Sequence, residues 1–349
     1  MVKSLSKQGA WLLLVLLFAS TWTFVSRNPE MFPIPSFPSA PQSPTPPTTT
    51  TGFQPPDGQC YIGAWMEDDG YEQVKQRILG WKAKAGKGTF LYGIWAYFNM
   101  DFAAAGGRFA VVERLANEGV IGGAIIGWCP LLSSTDAVTI GKVASGDYDN
   151  YIRAQAEKFK NFPYPLFIRF GAEMNGQWNP YPDTGVFINA WRRARGIFDS
   201  VGVKAEWIFS PVPYPSYPGR RPWQEYYPGD AYVEWVAPSC HDYTMRAWST
   251  TAPAEQTFNQ LMTPHFEFAI QHNKLFGFPE TSFRDSYHSV NYGVPISYEV
   301  AFMKVFFDFL GKNNRAKMFV VYDYTTTLNT PELLTPYRQA ITDTRYVGK

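Results

Sequence analysis

The chain of 349 residues is 45% apolar and 17% charged, and its 31 basic and 30 acidic side chains leave a formal net charge of +1. That balance excludes the basic surplus of a nucleic-acid binder and the polybasic surface of a membrane-associated protein, and the apolar content excludes disorder over most of the length. Three cysteines are too few for a disulfide scaffold, while aromatic residues, at 17%, are in surplus.

Lys3 and Lys7 precede an uncharged stretch over 9–26, centred on the apolar run Trp11–Phe18. Two readings fit residues 1–27. A signal peptide needs a short apolar run and a small-residue cleavage site, but Phe18 and Phe24 stand two residues before Ser20 and Ser26. An uncleaved signal anchor needs a longer apolar run, and Ser20, Thr21 and Thr23 dilute this one. Either reading sends the rest of the chain out of the cytoplasm, secreted or held by the anchor, with membrane contact only through this segment. Residues 28–56 read as a linker: ten prolines fall between 29 and 56, interleaved with Ser and Thr, so the segment favours extended polyproline conformations over a core.

Residues 57–349 alternate between short β-rich runs and segments with helical spacing. The runs are Cys60–Met66, Thr89–Phe98, Val120–Cys129, Leu166–Ala172, Ala205–Ser210, Val233–Cys240, Leu275–Pro279 and Met318–Tyr324. Helices are expected at Tyr71–Lys84, Arg108–Asn117, Asp149–Phe159, Phe187–Val201, Ala254–Asn273, Tyr298–Leu310 and Pro331–Thr344. Thr184 is the expected N-cap of the fourth and Gly202 its closing glycine. Pro211 to Asp230 reads as a long loop. Eight such units predict an α/β fold, a (β/α)8 TIM barrel, at about 37 residues per unit. A doubly wound open sheet is the competing fold, but the first strand runs into Trp65-Met66-Glu67-Asp68-Asp69 without a glycine-rich phosphate turn.

Function in a barrel gathers where strands end. The ends carry Trp65, then Trp95, then Trp128, then Arg169 through Glu173 to Trp178, then His241-Asp242-Tyr243, Glu280, and finally Tyr322 and Tyr324. Aromatics and carboxylates on one rim suit a neutral sugar polymer, whose rings stack on flat side chains and whose cleavage needs two carboxyl groups. Glu173 and Glu280 are the candidate pair, 107 residues apart, which over three βα units matches the average unit length. No nucleophile elbow, zinc helix or P-loop accompanies them. His265 and His272 read as a surface pair, and no metal or other cofactor is expected.

The strand-four block Arg169-x-x-x-Glu173-Met174-Asn175-Gly176-x-Trp178 resembles the R-x-x-H-E-M-N-G-x-W motif of glycoside hydrolase family 26, the β-mannanase and lichenase family of clan A. Tyr227-Pro228-Gly229-Asp230-x-Tyr232-Val233-x-Trp235-Val236 is similar to that family's approach to strand six. The resemblance implies a retaining endo-β-glycanase acting on a mannan or β-glucan-like polysaccharide, as a monomer. Glu173 would be its acid/base and Glu280 its nucleophile. Tyr243 takes the place of a strand-six tyrosine that hydrogen-bonds the nucleophile. Arg169, Asn175, Trp178, Trp65, Trp95, Trp128, Tyr322 and Tyr324 are the expected substrate contacts. The family's histidine before the acid/base is Ala172 here, and tyrosine stands where a strand-eight tryptophan is expected. These departures bear on the substrate and keep open the alternative of a catalytically inactive, cell-surface glycan-binding barrel.

Overall fold

The computed structural model describes residues 52–349, apart from 68, 99, 101–106, 134–135, 137, 180, 182, 215–219, 243–251, 284–294 and 323–327. The expected leader, nearly all of the expected linker, and Tyr243 and Tyr324 lie outside the described residues. Among those described, no helix is long and apolar enough to cross a membrane.

Ten parallel strand segments build a closed barrel: β1 (Cys60–Trp65), β2 (Leu91–Tyr97), β3 (Gly123–Cys129), β4 (Leu166–Phe170), β5 (Glu206–Phe209), β6 (Trp235–Val236), β7 (Cys240–His241), β8 (Leu275–Ser282), β9 (Ala316–Tyr322) and β10 (Tyr346–Val347). Each pairs with its neighbour in sequence order from β1 to β6, and β9 returns to pair with β1 from Tyr61↔Met318 to Trp65↔Tyr322. The sheet has no open edge there. β6 and β7 share the sixth barrel position, each pairing with β8. The expected single strand is split because Pro238 has no N–H to give a ladder. Its neighbours Ala237 and Ser239 still donate to the carbonyls of Phe209 and Pro211, at 2.8 and 3.1 Å. β10 pairs with Cys60 and Tyr61 ahead of the point where β2 joins at Gly63.

Helices α1 (Tyr71–Ala85), α2 (Arg108–Asn117), α3 (Thr139–Ser145), α4 (Asp149–Phe159), α5 (Thr184–Val201), α6 (Ala254–Gln271), α7 (Ile296–Lys312) and α8 (Pro331–Ile341) lie in the connections between strands. Burial on both faces explains the uninterrupted apolar strands, β3 being buried along its whole length. In α5 the buried face is Phe187, Ala190, Trp191, Ala194, Ile197, Phe198 and Val201, the expected stripe. Its cap is Asp183 rather than Thr184: the carboxylate accepts the Val186 N–H at 3.0 Å, at the end of the helix where negative charge is favoured. Gly202, at φ 84°, closes the helix as expected. The unexpected α3 is too short to show a period. It starts where the Asp136 carboxylate accepts from the N–H groups of Val138 and Thr139.

His265 is a correction to the surface pair. It is buried, stacks on Trp223 with centroids 4.2 Å apart, and bonds the Leu261 carbonyl through Nδ1. Phe53 and Pro55 also pack into the domain slightly ahead of its expected start, and Lys317, the second residue of β9, bonds the Pro55 carbonyl and Asp57. The chain therefore enters at the end of the barrel where the strands begin.

Candidate active site

The site is built on strand register. Trp65 aligns with Gly93, Trp95 with Gly127, and Gly127 with Arg169. Each indole lies over the glycine of the next strand, where a Cβ would come within 2.4 Å of the ring. The two glycines let both tryptophans lie flat inside the barrel, stacked with centroids 4.8 Å apart. The Arg169 guanidinium follows, centred 5.2 Å from the Trp95 ring.

Arg169 is fully buried. Nε donates to Ser210 Oγ at 2.9 Å and Nη2 to Ser239 Oγ at 2.7 Å, while Nη1 donates to Glu280 Oε2. Nη2 also stands 4.0 Å from Glu173 Oε1. One guanidinium thus serves both carboxylates. The second oxygen of Glu280 faces His241 Nε2 at 3.5 Å. A carboxylate oxygen of each glutamate and a ring nitrogen of His241 lie within 4.8 Å of one another. Among the described residues, those three side chains are the group that could hold a cation, although the Arg169 charge beside both carboxylates opposes it.

Glu173 sits past the end of β4 at φ 58°, left-handed backbone that costs a non-glycine residue energy. The strain is held by bonds on all sides. Its N–H donates to the Ser210 carbonyl at 2.7 Å, its own carbonyl accepts from Gly176 N at 2.8 Å and Asn179 Nδ2 at 2.9 Å, and Trp178 Nε1 donates to Oε2 at 2.9 Å. Strained backbone of this kind clusters at functional sites.

The two carboxyls have opposite electrostatics. Burial raises the pKa of Glu173, the negative charge of Glu280 raises it further, and Arg169 offsets only part. Burial also pushes Glu280 up, but the Arg169 charge and the His241 contact outweigh it and hold its carboxyl below the usual range. The surroundings thus push the two carboxyls in opposite directions, Glu173 toward its acid form and Glu280 toward its anion, an arrangement suited to paired acid and nucleophile chemistry.

The structure brings Glu173, Glu280, Arg169, Trp178, Trp65, Trp95 and Tyr322 together. Trp95, Trp178 and Tyr322 are half-buried, and Tyr322 meets His241 edge-on with centroids 6.3 Å apart. Trp65 is buried and braces β8 by donating to the Pro279 carbonyl at 2.7 Å. Four expected contacts are corrected: Trp65 and Arg169 are fully buried and act on neighbouring side chains and backbone, and the same holds for Trp128 and Asn175. Trp128 follows inward-facing Gly127, so it points outward; it is fully buried against Phe98, Phe170 and Phe198 and offers no face to a ligand. Asn175 is also fully buried, donating to the carbonyls of Val212 and Tyr214 and accepting from Val212 N at 2.9 Å. It clamps the loop after β5.

Sequence reasoning placed His241 and Asp242 at a strand end without assigning them a part in the site, and it missed Ser210, Ser239 and Ser282. His241-Asp242 ends a strand, and that position was the available signal; single serines carry none. Ala172 is buried, and the imidazole that reaches Glu280 comes from β7 instead. All three cysteines are free and buried.

The sequence matches no protein-family model and no curated protein. Among solved structures, the chain is similar to the catalytic domain of a family 26 endo-β-1,4-mannanase from Bacillus sp. JAMB-750, with a TM-score of 0.58 and 16% identity over 83% of this chain and 87% of that one. A family 26 β-mannanase from Bacteroides ovatus gives 0.58 and 13%, over 83% and 90%. A β-mannanase from a symbiotic protist of the termite Reticulitermes speratus, complexed with gluco-manno-oligosaccharide, gives 0.53 and 15%, over 88% and 96%. What the chain shares with these family 26 enzymes is the (β/α)8 fold along most of its length.

Proposed function

We propose that the protein is a glycoside hydrolase, a divergent family 26 member that cleaves β-linked polysaccharide with retention of configuration. The observation that carries this reading is the Glu173–Glu280 pair at the barrel mouth, with nearest oxygens within 4.8 Å and opposite protonation tendencies. Retaining pairs stand roughly 5–5.5 Å apart, and inverting pairs roughly 6.5–9.5 Å to admit a water. A barrel that only bound glycan would have no need of a split pair.

In this mechanism Glu280 attacks the anomeric carbon while Glu173 passes its proton to the departing glycosidic oxygen. A glycosyl ester forms on Glu280. Glu173, now ionised, takes a proton from water as that water attacks the same carbon and frees Glu280. Arg169 holds the nucleophile ionised, and Trp95, Trp178 and Tyr322 offer rings for sugar stacking.

The similar solved structures include β-mannanases, one holding a gluco-manno-oligosaccharide. Mannan or a related β-glucan, cut internally, is accordingly the substrate proposed, with the enzyme acting as a monomer. Outside the cytoplasm, secreted or anchored through residues 1–27, it would present its mouth away from the linker, because the chain enters at the opposite end of the barrel. Incubation of the purified protein with mannan, glucomannan and mixed-linkage glucan, followed by NMR of the first-formed reducing ends, tests the reading. β-Anomers are expected first; α-anomers would replace the mechanism with inversion, and no product from any of the three would remove the proposed activity.

A further inference from the structure

Resting on that reading, we infer that His241 is a specificity-determining residue, whose Nε2 binds the 2-hydroxyl of the sugar being cleaved. Three polar groups converge at the mouth: a carboxylate oxygen from each glutamate and a ring nitrogen of His241, all within 4.8 Å of one another. A sugar whose anomeric carbon sits against Glu280, at the roughly 3–3.5 Å of a reactive contact, gives its glycosidic oxygen to Glu173. Two oxygens then remain around that carbon. The ring oxygen loses electron density in the oxocarbenium-like transition state and becomes a poor acceptor. The 2-hydroxyl, two bonds from the anomeric carbon, is left for the third polar group. A hydroxyl both donates and accepts, so it bonds Nε2 in whichever role that nitrogen offers.

Strand geometry turns the ring to this task. His241, on β7, pairs in register with Ser282 on β8. Nδ1 lies 2.9 Å from Ser282 Oγ, which pins one edge of the ring, and Nε2 on the other edge stands 3.5 Å from Glu280 Oε1. Arg169 holds the opposite oxygen, Oε2, so a hydroxyl bound at Nε2 lies on the side of Glu280 away from the guanidinium. His241 is 5% exposed and Glu280 8%, so the imidazole is about as open to a ligand as the nucleophile itself. Tyr322 backs the ring edge-on, and Ala172, beside the acid/base, brings no polar side-chain atom to compete with it. Hydrogen bonds to a 2-hydroxyl strengthen in the transition state, so this contact acts on the rate as well as on binding.

The test compares the full chain, as wild type and His241→Ala, on two aryl β-manno-oligosaccharides that differ only in the 2-hydroxyl of the reacting sugar. His241→Ala should lower kcat/KM by about 10²-fold on the intact glycoside and by less than about threefold on its 2-deoxy counterpart. The intrinsic reactivity of the analogue cancels when the two enzymes are compared. Equal losses on both glycosides would overturn the contact. A second measurement needs neither turnover nor a variant at His241. A crystal structure of Glu280→Ala holding a manno-oligosaccharide across the mouth should place the sugar O2 within about 3.2 Å of His241 Nε2. An O2 more than about 4 Å away, or a mouth that takes up no sugar, would overturn the inference. A wild type that releases aryl product from neither glycoside would remove the proposed activity, and the complex would still decide the contact.

Discussion

Arg169 and Glu280, 111 residues apart in sequence, share a buried charge-assisted hydrogen bond, and the same guanidinium reaches within 4.0 Å of Glu173. Each partner is buried and would be costly alone. Arg169→Met should therefore destabilise the fold by about 3–5 kcal/mol, because it strands the Glu280 charge. Arg169→Met/Glu280→Gln should recover much of that loss. Thermal unfolding midpoints check it; a double variant no more stable than Arg169→Met would show that the pair is not the source of the cost.

Loss of either carboxyl should have distinct kinetic signatures. Glu280→Ala should abolish turnover while glycan binding persists, and retained activity would sink the nucleophile assignment. Glu173→Ala should cost about 10²–10⁴-fold on polysaccharide but much less on an aryl glycoside whose leaving group needs no proton. Steady-state rates on the two substrates make the comparison.

The proton placement gives a pH prediction. In the proposed mechanism Glu173 must be protonated for the first step, and its pKa is raised, so activity should hold through the acid range and fall as pH rises through that pKa. Glu280 must be ionised and its pKa is lowered, so its protonation limits activity only at the acid extreme. Glu280→Gln removes a like charge and releases Arg169, both of which should lower the Glu173 pKa. Carbon-13 NMR titration of the Glu173 carboxyl, assigned by its loss in Glu173→Gln, measures the shift. An unchanged value would contradict the coupling.

The two tryptophans of opposite facing should separate cleanly. Trp128→Ala should cost about 3–5 kcal/mol of stability, as a large cavity between barrel and helices, and leave KM unchanged. Trp95→Ala should act mainly on KM. Gly127→Ala should disturb the same place from beneath, since its Cβ would stand 2.4 Å from the Trp95 ring, with an overpacking cost of about 1–3 kcal/mol. Chemical unfolding and polysaccharide kinetics together decide these.

The barrel was legible because eight apolar runs alternate with helical stripes, and α5 buries the stripe its sequence spells out. Glu173 and Glu280 were legible because both close strands, and in a barrel strand ends converge. What the sequence could not decide was which side of a strand each residue faces. Barrel strands are buried on both faces, so there is no polar alternation to reveal the facing. Trp95 and Trp128 look alike in sequence, and only register turns one into the mouth and the other into the helix layer. The same limit hid the polar shell. Ser210, Ser282 and the pair Ser239 and Asp242 that flanks β7 come from three segments, and only closure of the sheet brings these around Arg169 and His241.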